Sequence, residues 1–253
     1  IAATLIFAVS LVFNIFIIPN TNKMKVDFEN IYVKPPKDNS RVSTHMQLDK
    51  DSYVYIDNFD NTTKTGYGFV LEIFKGDTLK EKMMADRITW DSVATKWKIE
   101  GYTNRIINGL HERMEKGTVK DTTLDMKPSD FEVRDNMFTA MDTHELNIRI
   151  RKEEIRGTGV MNDLLLEKYK RYVYPFSAFV LTLMGVALSS KKVRGGIGLS
   201  LGIGIALSFT YIVFIQFATM FSLKGGLPPL IAVLIPNVTF FLVAIYLAIK
   251  APK

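Results

Sequence analysis

The stretch that decides the fold is YVYPFSAFVLTLMGVALSSKKVRGGIGLSLGIGIALSFTYIVFIQFATMFSLKGGLPPLIAVLIPNVTFFLVAIYLAI, residues 172–249. Two polar breaks, Lys191-Lys192-Val193-Arg194 and Lys224-Gly225-Gly226, cut it into apolar lengths at 172–190, 195–223 and 227–249. A bilayer's hydrocarbon core takes roughly 20 apolar residues of helix to cross, and each length suffices. A helix on a soluble core would keep a polar face at helical spacing. Residues 195–223 have none, with Ser200, Ser208, Thr210 and Gln216 the only polar side chains before Thr219. The function is therefore a membrane function.

Working outward, residues 1–18 are apolar again, and residues from about Pro19 to Arg171 are polar. Averages conceal this segregation, since mean hydropathy is only +0.10 with 23% charged residues. The middle block is long enough for one domain with its own core. The absence of cysteine removes disulfides and thiolate metal sites from consideration, and suits an oxidising compartment as well as any other. The apolar run at 1–18 lacks the basic start and small-residue cleavage site of a signal peptide, ending instead in Asn14, Phe16 and Pro19-Asn20. It reads as the second half of a longer spanning helix, with residues expected upstream of Ile1.

If 1–18 and 172–190 both span, the polar domain lies on one side and Lys191, Lys192, Arg194, Lys250 and Lys253 on the other. The domain side carries Lys23, Lys25, Lys168, Lys170, Arg171 and Lys224. Five against six is too even for the positive-inside rule to assign an orientation. Lys168, Lys170 and Arg171 also stand directly before Tyr172 and Tyr174, a basic and aromatic collar at headgroup depth. Such a collar either snorkels to the interface or holds lipid phosphate, and Lys168, Lys170, Arg171 and Tyr172 are the candidate headgroup contacts.

Inside the polar block, 52–59 and 67–74 are rich in Tyr, Val, Ile and Phe and bounded by turn residues, which predicts strands. Further strands are expected at 82–90, 96–102 and 104–107. Their roughly ten-residue spacing suggests an all-β sandwich or jelly roll. Asp142 with Glu145 predicts a helix start, Leu146, Ile150 and Ile155 an apolar stripe, and Arg156-Gly157-Thr158-Gly159 a stop. A second helical run from Met161 leads into the membrane.

Catalytic signatures are missing. His45, His111 and His144 are scattered surface residues, and His111-Glu112 lacks the second histidine of a zinc-protease helix. There is no phosphate-binding Gly-Lys-Ser/Thr loop, and Gly196-Ile197-Gly198 follows no strand. No catalytic, cofactor or metal site is expected, and no nucleic-acid partner. No carboxylate lies within 172–249, which argues against an ion-coupled carrier, so energy for transport must come from a partner. Small residues recur every fourth position at Gly196, Ser200, Gly204 and Ser208, and again at Gly198, Gly202 and Ala206. Such strips let helix backbones approach closely, either as fixed packing or as a movable gate.

The C-terminal block resembles the LptF/LptG family of lipopolysaccharide-export permeases. The resemblance is carried by Lys170, Arg171 and Pro175, then Gly185, Arg194-Gly195-Gly196, Gly226-Leu227-Pro228-Pro229 and Pro236-Asn237. MFTAMDTHELNIRI (137–150) is similar to the helix ending the family's periplasmic domain, and ADRITWDSVATKWKIEG (85–101) to its paired strands. The resemblance implies a membrane α-helical plus all-β fold: residues 1–20 as the end of span three, 21–160 as a periplasmic β-jellyroll-like domain with a C-terminal helix, and 161–253 as spans four to six. It implies the permease subunit of an ABC transporter in the bacterial inner membrane. Its partners would be lipopolysaccharide, a second LptF/LptG-type permease, a cytoplasmic ATPase dimer and periplasmic jellyroll bridge proteins. Spans one and two would lie upstream of Ile1, and the fifth span, 195–223, would form the gate. A MacB/LolC-like permease, with a mixed α/β domain, and a membrane sensor or scaffold without transport are the alternatives.

Overall fold

The computed structural model describes residues 2–33, 43–131, 137–190 and 196–250. Lys191, Lys192, Val193, Arg194, Gly195, Lys253 and Ile1, used in the sequence reading, lie outside the described residues. The chain divides into two compact units. One comprises Ile1–Lys25, Phe138–Ile150 and Asn162–Lys253, the other Val26–Met137 and Arg151–Met161.

Four helices among the described residues are long and apolar enough to cross a membrane: Ala2–Val33, Met161–Ser189, Gly198–Lys224 and Pro229–Ile249. The first is α1 (Ala2–Val12) and α2 (Ile18–Phe28) joined by a π-helical turn at Phe13–Ile17, with a second π turn at Glu29–Val33. Pro19 accounts for the first π turn. Its ring would strike the carbonyl of Ile15 in a tight α turn, and it has no N–H to give. Side chains satisfy carbonyls around the bulge: Asn14 Nδ2 donates to Ser10 O at 2.9 Å and Thr21 Oγ1 to Ile17 O at 3.1 Å. The second long helix is α4 (Met161–Val173), a 3-10 turn at Tyr174–Phe176 over Pro175, and α5 (Ser177–Ser189). It is preceded by α3 (Thr143–Arg156), whose start is the predicted reciprocal cap: Glu145 N donates to Asp142 Oδ1 at 2.7 Å and Asp142 N to Glu145 Oε2 at 3.2 Å. Leu146 and Ile150 are buried as expected, but Ile155 is exposed.

The last two helices are α6 (Gly196–Lys224) and α7 (Pro229–Ile249). α7 packs against both α5 and α6, and α1 packs on α5 through Phe7, whose ring lies 5.0 Å from Phe176 and 5.1 Å from Phe179. Van der Waals fit supplies most of this packing, because lipid tails are as apolar as the helices. Polar pairs add specificity: Tyr211 OH donates to Asn237 Oδ1 at 2.9 Å, and Asn237 Nδ2 donates to Val233 O at 3.1 Å beside Pro236.

The other unit is a six-stranded antiparallel sheet: β1 (Thr44–Gln47), β2 (Ser52–Asp60), β3 (Thr65–Lys75), β4 (Thr78–Asp91), β5 (Lys96–Asn108) and β6 (His111–Thr122). The strands lie in sequence order, so each joins its neighbour by a hairpin and the interleaved order of a Greek-key jelly roll does not arise. The expected strands at 96–102 and 104–107 are one strand. β1 is too short and β6 too polar to have stood out. β6 is exposed along almost its whole length, so it shows no alternation of apolar and polar residues.

One row across the sheet breaks the alternation. Ile56 pairs with Phe69 and Asn58 with Tyr67, leaving Asp57 facing Gly68 outside the ladder; Asp86 and Gly101 face each other in the same way between β4 and β5. Inward residues on either side of the row are therefore three apart, as in Ile56/Phe59 and Ala85/Ile88. Gly68 and Gly101 both have φ of +64°, and a Cβ on Gly101 would lie 2.4 Å from Asp86 Oδ2. Gly101→Ala should thus cost about 2 kcal/mol, mostly from the left-handed backbone. Emission from Trp90 and Trp97, the protein's two tryptophans, would report the lowered unfolding midpoint.

On the inward face the core gathers Met46, Val54, Ile56, Phe69, Met83, Ile88, Trp97 and Ile99. The segment after β6 returns beneath it. Trp97 Nε1 donates to Met126 O at 2.9 Å in a buried bond, and Phe131 stacks on Phe59 with centroids 4.6 Å apart. The outward face carries cross-strand ion pairs, Glu72–Lys82 at 2.7 Å and Arg87–Glu100. Arg87 holds the Glu100 carboxyl below its ordinary range, and backbone N–H groups of Ala94 and Val93 do the same for Asp91 in the β4–β5 turn.

Candidate functional site

The collar residues sit on the last turn of α4, where Met161 onward forms a helix because Leu164 and Leu166 provide a buried stripe. Their spacing on the helix separates them. Lys168 and Lys170 are partly buried, while Tyr172 is 41% exposed. Arg171 departs from the sequence reading: it is only 3% exposed, with its donors occupied by groups of this chain rather than offered to a headgroup. Nε donates to Glu167 Oε1 at 3.1 Å, one turn earlier on α4. Nη1 donates to Thr143 Oγ1 at 3.3 Å, and Nη2 to Phe138 O at 3.3 Å and Met141 O at 2.7 Å. Sequence reasoning grouped Arg171 with the lysines because burial cannot be read from a run of like charges.

The two small-residue strips of α6 also take different places. Ser200, Gly204 and Ser208 line a slot of about 600 Å³ against Leu181, Met184 and Leu188 of α5. A Cβ on Gly204 would meet Leu188 Cδ1 at 4.0 Å. Gly198 and Gly202 are exposed, and a Cβ on either would meet nothing within 4 Å. The first strip is used within the chain, and the second leaves backbone free for close approach by something else. Gly196 opens the helix at the foot of the first strip.

Residues that the sequence reading gave no role also matter. Asn22 of α2 donates from Nδ2 to Thr139 O at 3.2 Å, a contact 117 residues apart with no local signature. Tyr211 was read as part of the apolar run and Asn237 only as part of the family resemblance, and neither reading gave the pair its hydrogen bond. Among the described residues no group of His, Asp and Glu could hold a metal ion. His45, His111 and His144 are all exposed, with the His45 ring stacked 4.4 Å from Tyr55.

Four membrane-length helices together with an antiparallel β unit define a polytopic membrane protein with a β domain. The profile of the family described as "Lipopolysaccharide export system permease LptF/LptG" matches residues 1–250, and the chain belongs to that family. No curated protein matches the chain.

Proposed function

We propose that the chain is a permease subunit of an ATP-driven exporter, which takes lipopolysaccharide from the bacterial inner membrane and passes it to periplasmic jellyroll bridge proteins. The family match over residues 1–250 carries this reading. Hydrolysis would occur in a separate cytoplasmic ATPase dimer, in keeping with the lack of a phosphate loop in this sequence. The β unit would lie in the periplasm, and a second LptF/LptG-type permease would face α6, where Gly198 and Gly202 leave backbone open. The meander of antiparallel strands favours this reading over a MacB/LolC-like permease, which would bring a mixed α/β domain. No observation favours a sensor or scaffold.

Lys168, Lys170 and Tyr172 are the groups proposed to meet the anionic headgroup. They combine positive charge and an aromatic ring near the C-terminal end of α4, within the membrane-length helix Met161–Ser189. In the assembled exporter, Lys168→Ala with Lys170→Ala should weaken photocrosslinking of the lipid from position 172 and lower ATP-dependent lipid release several-fold, so neither lysine is a neutral position for export. Unchanged crosslinking and release would remove these residues from the lipid path.

A further inference from the structure

The connector between the sheet and α3 is gripped from two sides. Its 3-10 turn, Met137–Ala140, and the residues after it expose the carbonyls of Phe138, Thr139 and Met141. Arg171 of α4 takes the first and third, and Asn22 of α2 takes the second, at 3.3, 2.7 and 3.2 Å respectively. Both gripping residues belong to the same compact unit as the connector and to helices continuous with membrane-length spans. The cation stands at the start of α3, the end of a helix whose dipole disfavours positive charge. Glu167 and the backbone carbonyls offset that cost, so the guanidinium is held for what it binds and not for the helix end. Its planar fork reaches Glu167, Thr143 and two carbonyls in fixed directions, which one ammonium group cannot do.

We infer that Arg171 and Asn22 form a clamp that makes residues 138–143 a rigid extension of α2 and α4. Displacement of those helices is then delivered to the start of α3, a single helix whose last residues, from Arg151, belong to the other unit. Arg171 is thereby a positioning residue for lipid export and makes no lipid contact, which rests on the export reading above. Hydrogen bonds from a charged donor contribute about 1.5–3 kcal/mol each, so the clamp resists local opening strongly.

Hydrogen exchange on the full chain in nanodiscs, read on peptides covering 137–146, tests the clamp. Arg171→Gln should speed exchange there by about ten-fold or more, the equivalent of losing one such bond. Asn22→Ala should speed it less, Arg171→Lys should not restore protection, and Asn162→Ala, at an exposed position of α4, should leave exchange unchanged. In the assembled exporter, Arg171→Gln should lower lipid released per ATP hydrolysed, with ATP hydrolysis and lipid crosslinking retained. Unchanged exchange in both Arg171→Gln and Asn22→Ala overturns the clamp. Faster exchange with normal release per ATP overturns its coupling role, and lost lipid crosslinking returns Arg171 to the headgroup. If Arg171→Gln fails to fold, Asn22→Ala carries the same measurements, since Asn22 is only partly buried. An unsubstituted assembly that moves no lipid sinks the export reading and the coupling role, while exchange still decides the clamp.

Discussion

Arg156→Ala should destabilise the β unit by about 3–5 kcal/mol, the usual cost of stranding one partner of a buried ion pair. Arg156 and Asp130 have side chains only 3% and 7% exposed, and Nη1 lies 2.7 Å from Asp130 Oδ2. Nη2 donates to Asp125 O at 2.8 Å. Removing the guanidinium takes away the cation 2.7 Å from a buried carboxylate and the donor that Asp125 O accepts from. Asp130 Oδ2 still accepts from Lys127 N at 2.9 Å, so the carboxylate stays in place and cannot turn to solvent. Emission from Trp90 and Trp97 isolates the β unit, because the membrane helices contain no tryptophan. The unfolding midpoint should fall by roughly 10 °C or more for a unit of this size. Arg156→Met, which keeps apolar volume where the guanidinium stem packs, should cost less than Arg156→Ala. A midpoint unchanged by Arg156→Ala would mean that the pair contributes nothing net.

Phe131→Ala should cost a similar amount, about 3–5 kcal/mol, by opening a cavity under the sheet. Phe131 stacks on Phe59 and meets the edge of Trp97 at a centroid distance of 6.2 Å. It also fastens the returning segment that carries Met126, whose carbonyl accepts from the indole of Trp97. Loss of the ring should lower the midpoint and shift the emission to the red as water reaches Trp97. Phe131→Leu, which keeps most of the apolar volume, should cost far less. Equal destabilisation by both substitutions would show that stacking, and not filled volume, holds the segment.

The membrane helices were legible because their signal is local: uninterrupted apolar length needs no partner to be read. The start of α3 was legible for the same reason, since Asp142 and Glu145 cap one another within a single turn. The strands at Ser52 and Thr65 announced themselves by aromatic and β-branched content, whereas β6 did not, because nearly all of it is exposed. The meander order and the break in alternation at Asp57, Gly68, Asp86 and Gly101 needed strand pairing, which no single segment records. Of the collar, the position of Lys168, Lys170 and Tyr172 on a helix that runs from Met161 into the apolar stretch was foreseeable. The opposite fate of Arg171 was not, because three of its partners lie 28–33 residues away in sequence.

The sequence by itself determined that this is a membrane protein with an antiparallel β unit between its apolar blocks, and its motifs pointed to the LptF/LptG family. Length, hydropathy and short capping patterns act over a few residues, so they survive without coordinates. Tertiary structure alone decided which basic residue of the collar is buried and which small-residue strip faces α5. It also decided where α2 and α4 grip the connector. Those outcomes depend on which distant groups come within about 3 Å, the range at which hydrogen bonds form and buried charge is tolerated.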